Sequence, residues 1–359
     1  MKVGVIGFSN LRYMPYFNVY ESFLKENRID FDLIYWDRKN MNEKSNNNTI
    51  VYRKEMSDDS DKIWKLKQMY GFFKFCEKVI KEKKYDFLII LTTLPALFLS
   101  KFLKKKYKDR FILDIRDYTY EKYSFYKKML GKVVHVSKMT VISSPSFLSF
   151  LPQAEYTVCH NLDFKNKRNK NIRSNTARQR EIIRISYIGA ISYYSEVVKM
   201  LNLISNDERF LFSFYGDGVD ENKIKEYCKE NNMKNVFFYG RYNENQKEKF
   251  YEETDILFNA YGNESLLVKY ALSNKLYDAA WYSIPIIVNS DTAMQITSSE
   301  LGYQINYDAN NIAEDIYSWY NSIDWAKLEV VAGNIIEKAL NDNLIFKNKL
   351  YEIFGGGRD

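Results

Sequence analysis

An apolar run that begins at Phe111 ends in three charged residues, Asp114, Arg116 and Asp117. Side chains alternate along a strand, so Asp114 and Arg116 fall on one face around Ile115 and Asp117 stands at the strand's exit. A carboxylate there can position or deprotonate an acceptor hydroxyl, or steady a sugar. Asp117 and Arg116 are therefore candidate catalytic residues, although the same set also makes an ordinary local ion pair. The first turn of the chain, Ser9-Asn10-Leu11-Arg12, follows another apolar run. Ser9, Asn10 and Arg12 are candidate acceptor contacts. Further on, three apolar runs end in glycine: Gly189-Ala190, Gly216-Asp217-Gly218 and Gly240-Arg241. Glycine lets backbone N–H groups approach a phosphate, and a following helix adds a favourable dipole. None is a Walker A loop or a complete G-x-G-x-x-G, and a tight strand–helix turn explains each one equally.

Metal and thiol chemistry find less support. Asp58-Asp-Ser-Asp61 looks like a D-x-D but follows a charged stretch, and Asp217-Gly-Val-Asp220 fits a turn. His135 and His160 are the only histidines and read as structural. Cys76, Cys159 and Cys228 lie far apart with no CxxC spacing. No metal and no resident cofactor are expected.

Holding these residues in place requires an alternation of strands and helices. In the first half, strands are expected at Val3–Phe8, Phe31–Trp36, Phe87–Leu91, Phe111–Ile115 and Met139–Ile142. Helices are expected near Pro15 and at Ile63–Lys83, Leu94–Lys106 and Tyr118–Met129. Residues 40–49 read as an Asn-rich loop. In the second half, strands fall at Ile182–Ile188, Leu211–Tyr215, Val236–Tyr239, Ile256–Asn259 and Ile286–Val288. Helices fall at Glu196–Ile204, Glu221–Glu230, Gln246–Glu252, Lys269–Trp281, Ile312–Trp319 and Val330–Ile353. Such alternation predicts α/β architecture, with parallel sheets covered on both faces. Ligands bind such sheets beyond the carboxyl ends of the strands, so the cleft between two facing sheets is the expected active site.

A chain of 359 residues is long enough for two such domains. The expected division is 1–164, a basic linker 165–181 and 182–339, with a C-terminal helix, 340–359, packing back on the first domain. No apolar stretch reaches the length of a membrane span, so a cytoplasmic protein is expected. Charge is uneven: residues 1–160 hold 29 Lys/Arg against 18 Asp/Glu, net +11, and residues 182–359 hold 17 against 26, net −9. The basic, aromatic run Leu97–Lys108 suggests a peripheral site on an anionic membrane surface. Lysines on the outer face of packed helices are the plainer alternative.

The most specific stretch is Tyr270-Ala-Leu-Ser-Asn-Lys-Leu-Tyr-Asp-Ala-Ala-Trp-Tyr-Ser-Ile-Pro-Ile-Ile-Val288. It resembles the donor-binding signature of GT-B fold glycosyltransferases of family 4, "P-N-K-L-Y-E-A-M-A-A-G-I-P-V-I". Asn274, Lys275, Leu276, Tyr277, Asp278, Ala279, Ile284 and Pro285 match identically or conservatively. Other landmarks follow in order, including Phe212–Gly218, Val236–Gly240, Tyr251–Leu257, Val141-Ile-Ser-Ser144 and Val158-Cys-His-Asn-Leu-Asp163. Leu113–Tyr118 resembles the "D-x-R-D" segment of surface-polysaccharide members.

The resemblance implies two Rossmann-like domains and a metal-independent hexosyltransferase of surface polysaccharide synthesis, retaining in mechanism. Its donor would be a UDP- or GDP-linked sugar and its acceptor a glycan or lipid-linked saccharide; nucleic acid is not expected. Asp278 would take the ribose, with Asn274, Leu276, Gly189, Ala190, Gly216 and Gly218 around the nucleotide. Two features depart from the pattern. Tyr270 stands where the family has its first glutamate, and the basic pair after Gly189 is missing. The charge that develops on the leaving diphosphate still needs cations, and Lys275 and Arg241 are the candidates. A nucleotide-sugar epimerase of the same architecture, or a silent GT-B subunit partnering another transferase, is the alternative.

Overall fold

β-Branched and aromatic runs bounded by turn residues form parallel strands buried on both faces. The structure, a computed structural model, describes residues 1–43, 48–56, 61–162 and 181–355. They fall into two units: Met1–Asn161 with Asp342–Asp359, and Leu162–Asn341.

Unit 1 runs β1 (Lys2–Gly7), α1 (Phe17–Glu26), β2 (Asp30–Asp37), β3 (Thr49–Arg53), α2 (Lys62–Lys83), β4 (Phe87–Leu91), α3 (Thr93–Phe98), α4 (Ser100–Lys106), β5 (Phe111–Ile115), α5 (Ser124–Val134), β6 (Met139–Ile142) and β7 (Thr157–Val158). The sheet order is β3-β2-β1-β4-β5-β6-β7. Every pairing is parallel, from Val3 opposite Phe31 to Ile142 opposite Val158. The order reverses between β1 and β4, so the turn at Ser9–Arg12 and the exit of β4 flank the switch point. Thr92, at that exit, holds a positive φ of 73°.

Unit 2 runs β8 (Ile183–Ile188), α6 (Tyr194–Leu203), β9 (Phe210–Tyr215), α7 (Glu221–Glu230), β10 (Val236–Gly240), α8 (Lys247–Glu252), β11 (Ile256–Phe258), α9 (Leu266–Tyr270), α10 (Asn274–Tyr282), β12 (Ile286–Asn289), α11 (Ala293–Ser298), β13 (Gly302–Ile305), α12 (Ile312–Asn321) and α13 (Trp325–Phe354). Its order, β10-β9-β8-β11-β12-β13, reverses between β8 and β11. Gly189 and the stretch from Asn259 to Gly262 therefore sit at the second switch point.

The chain leaves unit 1 after Asn161 and returns at Asp342 inside α13. Leu328, Ala332, Ile336 and Ala339 of that helix pack in the core of unit 2. Phe346 and Leu350 continue the stripe and close the core of unit 1 over Tyr20 and Phe23. The segment that leaves after β7 is tied to the returning helix α13. The His160 N–H donates to Asn343 Oδ1 at 2.7 Å, and Asn343 Nδ2 donates to the His160 carbonyl at 3.0 Å. The His160 ring lies 3.0 Å from Asp342 Oδ2.

Several expected elements are corrected. The helix expected at Tyr118–Met129 begins at Ser124, because residues 116–123 form an irregular loop around Asp117. Leu94–Lys106 is two helices meeting at Leu99, and Lys269–Trp281 breaks at 271–273. The strands β3 and β13 are mostly half-buried and so carry no continuous apolar run, and β7 has only two residues. Ile63, Leu66 and Tyr70 do not share the inner face of α2; they are 77%, 57% and 56% exposed, and Phe72, Phe73, Cys76 and Ile80 face the sheet. Asp61 caps α2, accepting from the Ile63 and Trp64 N–H groups. The rest of that D-x-D, Asp58 to Ser60, lies outside the described residues, as do Asp163 and nearly all of the expected linker.

Candidate functional site

In unit 1 the carboxyl edge of the sheet carries the first set of candidates. Asp114 is fully buried and accepts the Tyr20 hydroxyl at 2.8 Å and Arg116 Nη2 at 2.7 Å. Arg116 Nε lies 2.6 Å from Asp114 Oδ1, and its Nη1 donates to the Cys159 carbonyl at 2.8 Å. The guanidinium lies against the Tyr16 ring, 5.2 Å from its centre, and is 94% buried. Arg116 is thus committed to the interior and is corrected from a catalytic to a structural role. Arg116 follows β5 directly and keeps the alternation of the strand, so it lies on the same buried side as Asp114, where burial requires each charge to be paired.

Asp117 escapes that face and opens to solvent. Its carboxyl is pushed above the ordinary carboxylate range by the protein packed around it and by Asp114, with Arg116 opposing. Beside it the sequence reading misses Glu121. This side chain is 97% buried and accepts the Thr119 N–H through Oε2 at 2.6 Å. Among the described residues its Oε1 has no hydrogen-bond partner, and neither has the Tyr118 hydroxyl. Burial raises the Glu121 carboxyl as well. Among the described residues Ser9 Oγ is also buried without a partner. Asn10 is wholly buried, holding Asp37 at 2.5 Å and accepting from the Lys39 N–H, so it secures its loop and does not face an acceptor. Arg12 is exposed, and its N–H donates to Glu43.

In unit 2 the glycines have a steric explanation. Gly216 and Gly189 hold positive φ values of 134° and 118°. A Cβ at Gly216 would come 2.0 Å from the Gly189 carbonyl oxygen, and one at Gly218 would come 2.0 Å from that of Ile191. Only glycine lets these two loops run side by side. The lacing uses two of the amides expected to cradle phosphate, those of Gly189 and Gly216. The Gly189 N–H donates to Tyr215, the Ile191 N–H to Asp217 and the Gly216 N–H to Gly240, at 2.8 to 3.0 Å. Gly216 and Gly218 are therefore loop-packing glycines. Ala190 is exposed, and its carbonyl accepts the Tyr187 hydroxyl at 3.0 Å.

Lys275, in the first turn of α10, is the group that this arrangement singles out. Its amine sits against Gly189, where a Cβ would lie 3.9 Å from Nζ. It donates to the Tyr261 hydroxyl at 2.7 Å and stands 4.0 Å from the centre of the Tyr187 ring. Tyr261 in turn stacks on Tyr193 at 4.5 Å. Burial brings the amine down to about 7; Asp278 opposes that shift and Lys247 adds to it. Desolvating an ammonium is unfavourable unless an anion completes it, and such groups gather at functional sites. Sequence reading misses Tyr187, Tyr193 and Tyr261, although Tyr261 follows a strand that ends at the switch point.

Asp278 lies one turn further on and faces inward. It is 92% buried, accepting the Tyr251 hydroxyl at 2.7 Å and Lys247 Nζ at 3.1 Å. Asp278→Ala should lower the stability of unit 2 by about 2 kcal/mol, because it leaves the buried Tyr251 hydroxyl without this acceptor. Asp278→Asn, which keeps a carbonyl oxygen, should recover most of that loss in a thermal melt. Leu276 is fully buried with Ala279 and Ala280 against the sheet, so it is a core residue and not a nucleotide contact. Asn274 is exposed at the start of α10, and Arg241 pairs with Asp217 at 2.8 Å on the surface.

No family model and no curated protein matches the sequence. Solved structures do match in shape. Sucrose-phosphate synthase from Thermosynechococcus elongatus superposes with a TM-score of 0.70 at 10% identity, over 99% of this chain and 100% of that one. HepE of Anabaena, in complex with UDP and glucose, gives 0.66 at 13% identity over 98% and 99%. The lipopolysaccharide outer core galactosyltransferase WaaB, in its apo form, gives 0.58 at 14% over 97% and 100%. With two Rossmann-like parallel sheets and neighbours of this kind across its whole length, the chain has the GT-B glycosyltransferase fold.

Proposed function

We propose that this chain is a hexosyltransferase that takes its sugar from a nucleoside-diphosphate donor, without a metal. The carrying observation is Lys275, a buried amine set against Gly189 and held by Tyr261 at the switch point of unit 2. Among the described residues no carboxylate makes an ion pair with this amine, although Asp278 acts on it, and a diphosphate would supply one. As the glycosidic bond to the leaving diphosphate breaks, negative charge grows on its oxygens, and a cation already in place stabilises that charge without reorganisation. The solved HepE complex with UDP and glucose supports a nucleotide-sugar donor for this fold. In unit 1 we assign Asp117 to steadying or deprotonating the acceptor hydroxyl, with Ser9 and Glu121 as further polar contacts. Burial raises the Asp117 carboxyl, the direction a group that accepts a proton requires.

The acceptor in this reading is a glycan or lipid-linked saccharide of surface polysaccharide synthesis, met at an anionic membrane surface, and transfer retains configuration. Tyr270 in place of the family's first glutamate favours a second reading, a silent subunit that steadies a partner transferase. One experiment separates them. Calorimetry with UDP- and GDP-sugars, followed by a donor-hydrolysis screen, should find one donor that binds and turns over. Turnover should survive EDTA within twofold. Absence of binding to every donor would favour the silent subunit, and loss with EDTA that Mn²⁺ restores would end the metal-free assignment.

A further inference from the structure

A surface helix normally turns apolar residues to the core and polar ones to water. The first two turns of α2 invert that rule. Gln68 is 96% buried, while Ile63, Leu66 and Tyr70, spaced three and four apart, stand in solvent. Among the described residues Gln68 Oε1 finds no partner. The pattern continues on the neighbouring helices. Phe98 of α3 stacks on Phe73 of α2 at 4.3 Å, and Thr93 of α3 lies 2.7 Å from the Tyr126 hydroxyl of α5. At the start of α5, Tyr123 and Phe125 are 55% and 76% exposed. In a parallel α/β layer the helices run against the strands. The starts of α2 and α5 therefore share the carboxyl edge of the sheet with Asp117.

We infer that this apolar edge of unit 1, formed by the starts of α2 and α5, inserts into the interface of an anionic bilayer. Net charge favours that occupant over a protein: in the sequence around the two helix starts, Lys62, Lys65, Lys67, Lys122, Lys127 and Lys128 outnumber Asp58, Asp59, Asp61, Asp117 and the buried Glu121. Lys67, Lys122 and Lys128 are exposed around the edge, and Lys122 Nζ lies 5.1 Å from the centre of the Tyr123 ring. The nearby Asp61 carboxylate caps α2. Aliphatic and aromatic tips ringed by lysines suit a headgroup boundary, where rings sit at the interface and ammonium groups meet lipid phosphates. The assignment deepens the membrane part of the proposed function and corrects its location. Lys104, Lys105 and Lys106 end α4 next to the start of β5, at the opposite edge of the sheet.

The test is co-sedimentation of the full chain with vesicles of phosphatidylglycerol and phosphatidylcholine, or of phosphatidylcholine alone. The variant Ile63→Asp/Leu66→Asp/Phe125→Asp should partition at least tenfold less onto the anionic vesicles, with an unchanged melting temperature because all three side chains are exposed. Lys104→Glu/Lys105→Glu/Lys106→Glu should stay within twofold of the parent. Raising salt should weaken attachment without abolishing it, since apolar insertion is not screened. Loss only in the lysine variant would overturn the apolar edge and leave the membrane reading standing. No vesicle binding by the parent would overturn both. A shift of the parent from dimer to monomer in the aspartate variant, with vesicle binding unchanged, would make the edge a contact between copies and overturn insertion.

Discussion

Lys275→Met should reduce donor binding and turnover by about a hundredfold or more while leaving the fold at least as stable. Removing a charge-stabilising group aimed at the reacting centre typically costs about 10² to 10³ in rate. The stability half of the expectation comes from burial. Lys275 carries an amine pushed down to about 7 by desolvation. A basic group whose folded value lies below its unfolded value opposes folding. That penalty is fully present below pH 7 and fades as pH rises toward the unfolded lysine value. Methionine fills a similar volume without the ammonium, so near neutrality the variant should melt no lower than the parent and gain about 1 kcal/mol. Loss of the hydrogen bond to Tyr261 works against this gain. The same titration sets a pH profile. Affinity for a diphosphate should be flat below about pH 7 and fall above it, as the free protein loses the cation. Calorimetry from pH 6 to 8.5 reads this directly, and a parent profile flat across the range would remove Lys275 from the diphosphate.

Arg116→Ala should do the reverse, destabilising unit 1 by about 3–5 kcal/mol, because it strands the fully buried Asp114 carboxylate beside Tyr20 alone. The Cys159 carbonyl loses its donor as well. Arg116→Lys should recover only part of the loss, since an ammonium cannot reach both Asp114 and Cys159 in the fork geometry of a guanidinium. Denaturant unfolding checks the magnitude. A variant that melts normally and loses only kcat would return Arg116 to the reacting centre.

The contrast between these two residues shows what the sequence makes legible. The strand–helix alternation was readable because parallel strands are apolar on both faces and their runs are long. Phe87–Leu91, Phe111–Ile115, Met139–Ile142 and Glu221–Glu230 fall on the observed bounds. Side-chain direction was harder. Asp114 and Arg116 look like a cleft pair because charge marks a strand exit, yet the pleat turns both inward and only Asp117 turns out. In α10 the signature stretch was readable as a unit, but it contains a core residue, Leu276, a buried anchor, Asp278, and a ligand candidate, Lys275, within about one turn. The tyrosines that frame Lys275 come from β8, the β8–α6 loop and the exit of β11, and only the folded sheet brings them together. Glycine spacing was legible and its purpose was not: Gly216 and Gly218 admit a neighbouring loop where a phosphate was expected.

The passage of the chain out of unit 1 at Asn161 and back at Asp342 also sets an order of assembly during synthesis. When β7 leaves the ribosome, every strand of the first sheet exists, but Phe346 and Leu350, which cover Tyr20 and Phe23, have not yet been made. At translation rates of about 5–20 residues per second, the intervening residues take roughly ten to forty seconds to appear. Unit 2 receives its share of α13, from Leu328 to Ala339, only at the end of that interval, just ahead of Phe346. The first unit thus waits with an uncovered apolar face next to α1 until the last turns of the same helix arrive. The nascent chain is most exposed to aggregation and to chaperone capture during that wait, and the knot of His160 with Asn343 can tie only at its end.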